Sequence, residues 1–97
     1  MKRYLDIYNY FGGDNQRRKL VEEIYEFLEA VIIYEHRKEG ENENFLKMNV
    51  TEEMADILLL LTEFIAAYDI KQNAVEDIID MKLGRTEKRI ENGYYDK

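Results

Sequence analysis

The chain of 97 residues carries 14 Lys and Arg against 21 Asp and Glu, a formal net charge of −7, which excludes a nucleic-acid binder held by phosphate attraction. Its length fits one domain over residues 1–97, and at that size folding hides only about two-thirds of the unfolded surface, so a partner subunit adds stability. With no Cys and a single histidine, His36, disulfide frameworks, thiolate zinc sites, cysteine nucleophiles and multi-histidine metal chemistry are excluded, and any metal must be bound by oxygen.

The absence of Pro, with 45% hydrophobic and 36% charged residues, predicts an all-α protein of about four helices, because nothing forces a break and the charges can cover long solvent faces. A short aromatic-rich helix is expected from Arg3 to Phe11, stopped by Gly12-Gly13. Asp14 is the expected N-cap of a second helix running to about Lys38, with Leu20, Ile24, Phe27, Leu28, Val31 and Ile32 on one face. Gly40 and the polar stretch from Glu41 to Asn44 read as a loop.

Asn49, followed three residues later by Glu52, resembles a capping box and predicts a third helix through about Tyr68. The consecutive residues Leu58, Leu59, Leu60 and Leu61 make it apolar on most sides, so it is expected to be covered by its own domain and by another subunit. A fourth helix, from about Asn73 to Glu91, would turn Val75, Ile78, Ile79, Leu83, Thr86 and Ile90 inward and end at Gly93, with Gly84 as a weak point. The broad apolar arcs do not match a sustained a/d heptad seam, which favours a compact bundle over a coiled coil. The longest apolar run, Ile57 to Leu61, is far short of the roughly 18 residues of a membrane span, and no charged-then-apolar leader opens the sequence. A soluble cytoplasmic protein is the expectation.

Two acidic clusters carry the chemistry: Glu22, Glu23 and Glu26 on the second helix, and Glu52, Glu53 and Asp56 on the third. Glu23 with Glu26, and Glu53 with Asp56, are spaced by three, so each pair projects from neighbouring points of one helix surface. At about 100° per residue, Glu53 falls inside the apolar arc of its helix, between Leu60 and Ile57, and Asp56 at its edge. An ionised carboxylate aimed at a core must be protonated, paired or metal-bound, and metal binding satisfies all four acids together. A carboxylate-only ligand set favours Mg²⁺, or Mn²⁺, which in turn is commonly met by phosphates. Lys82, Arg85 and Arg89 line one face of the fourth helix, with Lys88 nearby, in a net positive end of an acidic protein. Such a stripe beside an acidic metal site points to a polyphosphate ligand.

The segments Leu20-Val21-Glu22-Glu23-Ile24-Tyr25-Glu26 and Glu52-Glu53-Met54-Ala55-Asp56-Ile57-Leu58 resemble the MazG-like family of all-α nucleoside triphosphate pyrophosphohydrolases, whose pattern is Glu-Glu-x-x-Glu followed by Glu-x-x-Asp. The stretch from Lys82 to Ile90 is similar to the Lys and Arg spacing after the second motif in small members, with Gly84 a departure, and the resemblance covers about Arg18 to Ile90. It implies a domain that dimerises or tetramerises and holds Mg²⁺ through Glu23, Glu26, Glu53 and Asp56, with Glu22 as a further contributor. It also implies hydrolysis of a nucleoside triphosphate between the α and β phosphates, Lys82, Arg85 and Arg89 holding the leaving pyrophosphate. The spacing does not separate the general base from the ligands. A non-catalytic helical interaction module, its acids paired with Lys82 or Arg85, is the rival. A di-iron oxidase is excluded, because it needs Glu-x-x-His and Ile33 stands three residues before His36.

Overall fold

The computed structural model describes residues 1–96, and among them the chain forms four helices and no strand: α1 Lys2–Phe11, α2 Gly13–Glu35, α3 Glu43–Ala67 and α4 Gln72–Glu91. None of these helices is long and apolar enough to cross a membrane.

Gly12 serves both neighbouring helices. Its φ of 88° closes α1, its N–H donating to the Tyr8 carbonyl at 2.8 Å, and α2 begins at once at Gly13. Only glycine adopts that backbone without strain. Asp14 is therefore not the N-cap of α2; it lies in the first turn and pairs with Arg17. The end of α2 comes at Glu35, a few residues before Lys38, where His36 takes the C-cap and its Nδ1 lies 2.9 Å from the Ile32 carbonyl.

The third helix starts earlier than its capping-box residues predict. Asn42 is the N-cap, its side chain accepting from the Phe45 N–H at 3.0 Å, so Asn49 and Glu52 lie in the helix interior. An Asn that satisfies a first-turn amide is enough to begin a helix, and no breaker follows it. The connecting loop then covers residues 36–42, turning at Gly40 with φ 92°. At the far end of α4, Tyr94 N–H donates to Arg89 O at 2.8 Å and Gly93 N–H to Ile90 O at 3.1 Å. This is a Schellman closure around Gly93 in the left-handed region, the stop expected at that residue.

α2 and α3 form the body of the molecule as antiparallel neighbours, and α1 lies across both. The Tyr8 ring meets Phe64 edge-on at 5.5 Å and ties α1 to α3. Leu60, at 4% exposure, is the one large apolar side chain fully buried among the described residues; the other fully buried side chains are Gln16, Glu23 and Glu63. Leu20, Phe27, Val31, Ile57, Phe64 and Ile65 are half-buried.

The fourth helix has no comparable packing against the other three. Of the residues expected to turn inward, only Val75 is half-buried, whereas Ile78, Ile79, Leu83, Thr86 and Ile90 are exposed. Helical periodicity gathers these side chains on one face, but among the described residues no other helix packs extensively against it. The radius of gyration, 17.4 Å, exceeds the roughly 13 Å of a compact chain this long. The accessible surface, 8184 Å², similarly exceeds the roughly 5,900 Å² expected from the mass.

Candidate metal centre and adjoining cavity

The antiparallel pairing of α2 with α3 brings the two acidic motifs together. Gln16 faces Glu63, Glu23 lies against Asp56, and Glu26 stands with Glu53, a register in which each step back along α2 is matched by a step forward along α3. Glu23, Glu26 and Glu53 each present one carboxylate oxygen, and these lie within 4.8 Å of one another. Glu23 is buried, Glu53 half-buried and Glu26 exposed. The Oε2 atoms of Glu23 and Glu53 are buried without a hydrogen-bond partner.

The acids divide electrostatically. Burial pushes the Glu23 carboxyl up, but the hydrogen bond and charge of Lys19, whose Nζ lies 3.0 Å from Glu23 Oε1, together with hydrogen bonds from Glu26 and Glu53, leave it below the ordinary carboxylate range. Glu53 has no such cation. Burial, then the charges of Glu26, Glu23 and Asp56, push it up to about 7. Asp56 is raised too, by burial and by Glu23. Like charges held this close cannot all ionise cheaply, so the cluster retains a proton or takes a cation. Two orphaned buried oxygens and an all-carboxylate donor set fit a hard divalent cation.

Asp56 is exposed and lies outside the three-way convergence, one helical turn from Glu53. Glu22 is exposed as well, and with Asp56 it lines a cavity of about 500 Å³ bounded by α1, α2 and α3. Gln16, Lys19 and Glu63 line the same cavity. A smaller cavity, about 240 Å³, opens on the other side of the cluster against Glu26, Glu53 and Asn49. The acids thus have a recess on each flank.

No ion pair links Lys82, Arg85 or Arg89 to the acids among the described residues. Arg85 and Arg89 instead line a recess on α4 itself, and the Arg89 guanidinium sits over the Tyr94 ring at 4.8 Å. The cation that this chain brings to its own acids is Lys19, one turn before Glu23, which the motif pattern passes over. Gln16 and Glu63 also lie outside the motifs. Their signal in the sequence is spacing: Gln16 is seven residues before Glu23 and Glu63 seven after Asp56, two turns along the same stripe.

Comparison with known protein families, with characterised proteins and with solved structures finds no match to this chain. The likeness to the MazG-like family accordingly rests on the two motifs and their spacing.

Proposed function

We propose that the protein is a divalent-cation-dependent nucleoside triphosphate pyrophosphohydrolase, cleaving between the α and β phosphates to give a monophosphate and pyrophosphate. The observation that carries this reading is the convergence of Glu23, Glu26 and Glu53, from both motifs, with two buried oxygens left unpaired. Those three would hold the cation, Mg²⁺ or Mn²⁺ by donor chemistry, with Asp56 beside them. When bound, the cation supplies charge neutralisation for phosphate oxygens and a more acidic water. Without the cation the Glu53 carboxyl is raised to about 7, so cation binding there would displace a proton near neutral pH. Lys19 and Arg18, on the rim of the larger cavity, offer donors to phosphate oxygens.

Self-association belongs to the same proposal. The unpacked apolar face of α4, the exposed Leu58 and Leu61 of α3 and the surplus of accessible surface are what a second copy would cover. The same packing would let Lys82, Arg85 and Arg89 serve the acidic site of a neighbouring protomer. The cytoplasm, where nucleoside triphosphates and Mg²⁺ meet, is the proposed setting.

The decisive assay is pyrophosphate release from ribo- and deoxyribonucleoside triphosphates with Mg²⁺. Release should require the metal and fall at least about 100-fold in Glu53→Gln, the scale expected when a group acting on transition-state charge or proton transfer is lost. No release from any triphosphate, with Glu53→Gln as well folded as the native chain, would give the protein over to the interaction-module reading, which the exposed apolar faces of α3 and α4 favour.

A further inference from the structure

We propose that α4 is an arm exchanged between two copies of this chain, its apolar face seated in the cavity that α1, α2 and α3 form on the other copy. This rests on the self-association put forward above and names the two surfaces that meet.

The connection holds α4 away from the body. α3 closes at Asp69, φ 52°, with Ile70 N–H donating to the Ile65 carbonyl at 3.0 Å, and the Lys71 carbonyl accepts the Ala74 N–H at 3.0 Å as α4 begins. A turn hydrogen-bonded on both sides sets the direction of the helix that leaves it. The molecule accordingly measures 42 × 41 × 21 Å, with two long dimensions and one thin. At about 100° per residue, Val75, Ile78, Ile79, Leu83, Thr86 and Ile90 share one face of α4. Lys82 and Arg89 fall on the Ile78 side of that face, with Arg85 at its edge, and Glu76, Asp80 and Glu87 follow Leu83 on the other side. A surface that covers α4 is therefore apolar along its middle, acidic on one side and basic on the other.

The cavity has those features. Ile7, Phe11 and Leu59 line it and are exposed, with Leu60 buried behind them. Asp56 stands on its α3 edge, and Glu52, one turn before Asp56, is exposed on the same helix. The α2 wall carries Glu22 and two cations, of which Lys19 is engaged by Glu23 at 3.0 Å and Arg18 is exposed. An arm laid with Lys82, Arg85 and Arg89 towards Asp56 and Glu52 turns Glu76, Asp80 and Glu87 towards Arg18, while Ile79 and Leu83 enter among Ile7, Phe11 and Leu59. The accessible surface is large enough for this: it exceeds that of a compact chain by roughly 2,300 Å², against the roughly 800 Å² that each partner of a standard interface hides. Exchange in both directions covers both arms and both cavities, and the assembly closes at two copies.

The chain has no Cys, so introduced thiols report contacts directly. Leu59→Cys marks the cavity, Ile79→Cys and Leu83→Cys, one turn apart, mark the arm, and Asp77→Cys marks its outer face. Isotope-labelled Leu59→Cys chains are mixed with each of the others under reducing conditions and then oxidised, and the mixed disulfide-linked pair is quantified by mass spectrometry. Leu59→Cys with Ile79→Cys or Leu83→Cys should give several-fold more mixed pair than Leu59→Cys with Asp77→Cys. Phe11→Cys takes the place of Leu59→Cys if the latter does not fold. An arm thiol that links only to its own kind would mean arm-to-arm packing, which overturns the exchange and leaves self-association intact. A chain carrying both Leu59→Cys and Ile79→Cys that oxidises at single-chain mass would place the arm in its own cavity and overturn the exchange as well. So would linkage no higher than with Asp77→Cys in a protein that light scattering shows as a dimer. A single-chain mass for the native protein would sink the exchange and self-association together, while pyrophosphate release from the native chain decides the hydrolase reading separately.

Discussion

At Glu53 burial and neighbouring charge act in the same direction. Its carboxyl moves from an ordinary 4.5 up to about 7, so the folded state binds the proton more tightly than the unfolded chain does. The stability it contributes is therefore complete below 4.5 and lost as pH rises through about 7. Asp56, also raised, acts in the same sense, whereas Glu23, lowered on balance by Lys19, contributes stability that is lost on acidification. The metal-free protein should lose thermal stability as pH climbs through that window. Glu53→Gln should remove most of the slope, and added Mg²⁺ should offset it by satisfying the ionised cluster. Melting curves at several pH values, with and without the metal, check this; a native protein whose midpoint is flat across the window would show that the three acids do not interact as their spacing demands. The site was legible in the sequence only in part. Glu23, Glu26 and Glu53 stand out as paired carboxylates one of which points at an apolar arc, but the counter-charge of Lys19 and the burial of Glu63 depend on what the neighbouring helix places opposite them.

Among the helices, α3 and α4 show how much a local signal can carry. Both end where a residue can take a left-handed or capping conformation, at Asp69 with φ 52° and at Gly93 with φ 71°. The start of α3 belongs to Asn42 and not to Asn49, since the earlier Asn already accepts the Phe45 amide. Gly84 lies inside α4 with an ordinary helical backbone, and a Cβ there would meet nothing within 4 Å. Gly84→Ala should therefore raise stability by about 0.5–1 kcal/mol, through lower entropy of the unfolded chain and better helix propensity. Urea unfolding measures it. A loss in place of a gain would locate a neighbouring protomer packed against that glycine.

For the whole molecule, the unsatisfied surface decides the expectation. One fully buried apolar side chain, Leu60, is a small core for a folded domain, and the helix that carries the basic stripe packs on little within its own chain. Light scattering should give at least twice the mass of the chain, and the thermal midpoint should rise with protein concentration. Ile79→Asp with Ile90→Asp, both on exposed positions of α4, should shift the mass towards the single chain, because charge on a covered apolar face opposes association while costing the isolated helix little. A monomer at all concentrations would instead leave α4 a free arm.

What the sequence by itself determined is the helical class, the two glycine stops around α1 and α4, and the pairs of acids spaced to share a helix face. These follow from the 3.6-residue period and from capping chemistry, which act between residues a few positions apart. The tertiary structure alone decided the register of α2 against α3. That register brings Glu26 to Glu53, leaves Asp56 at the edge and buries Glu63 against Gln16. Periodicity sets the direction in which a side chain leaves its helix, but the sliding of one helix along another is set by interdigitation of residues far apart in the chain.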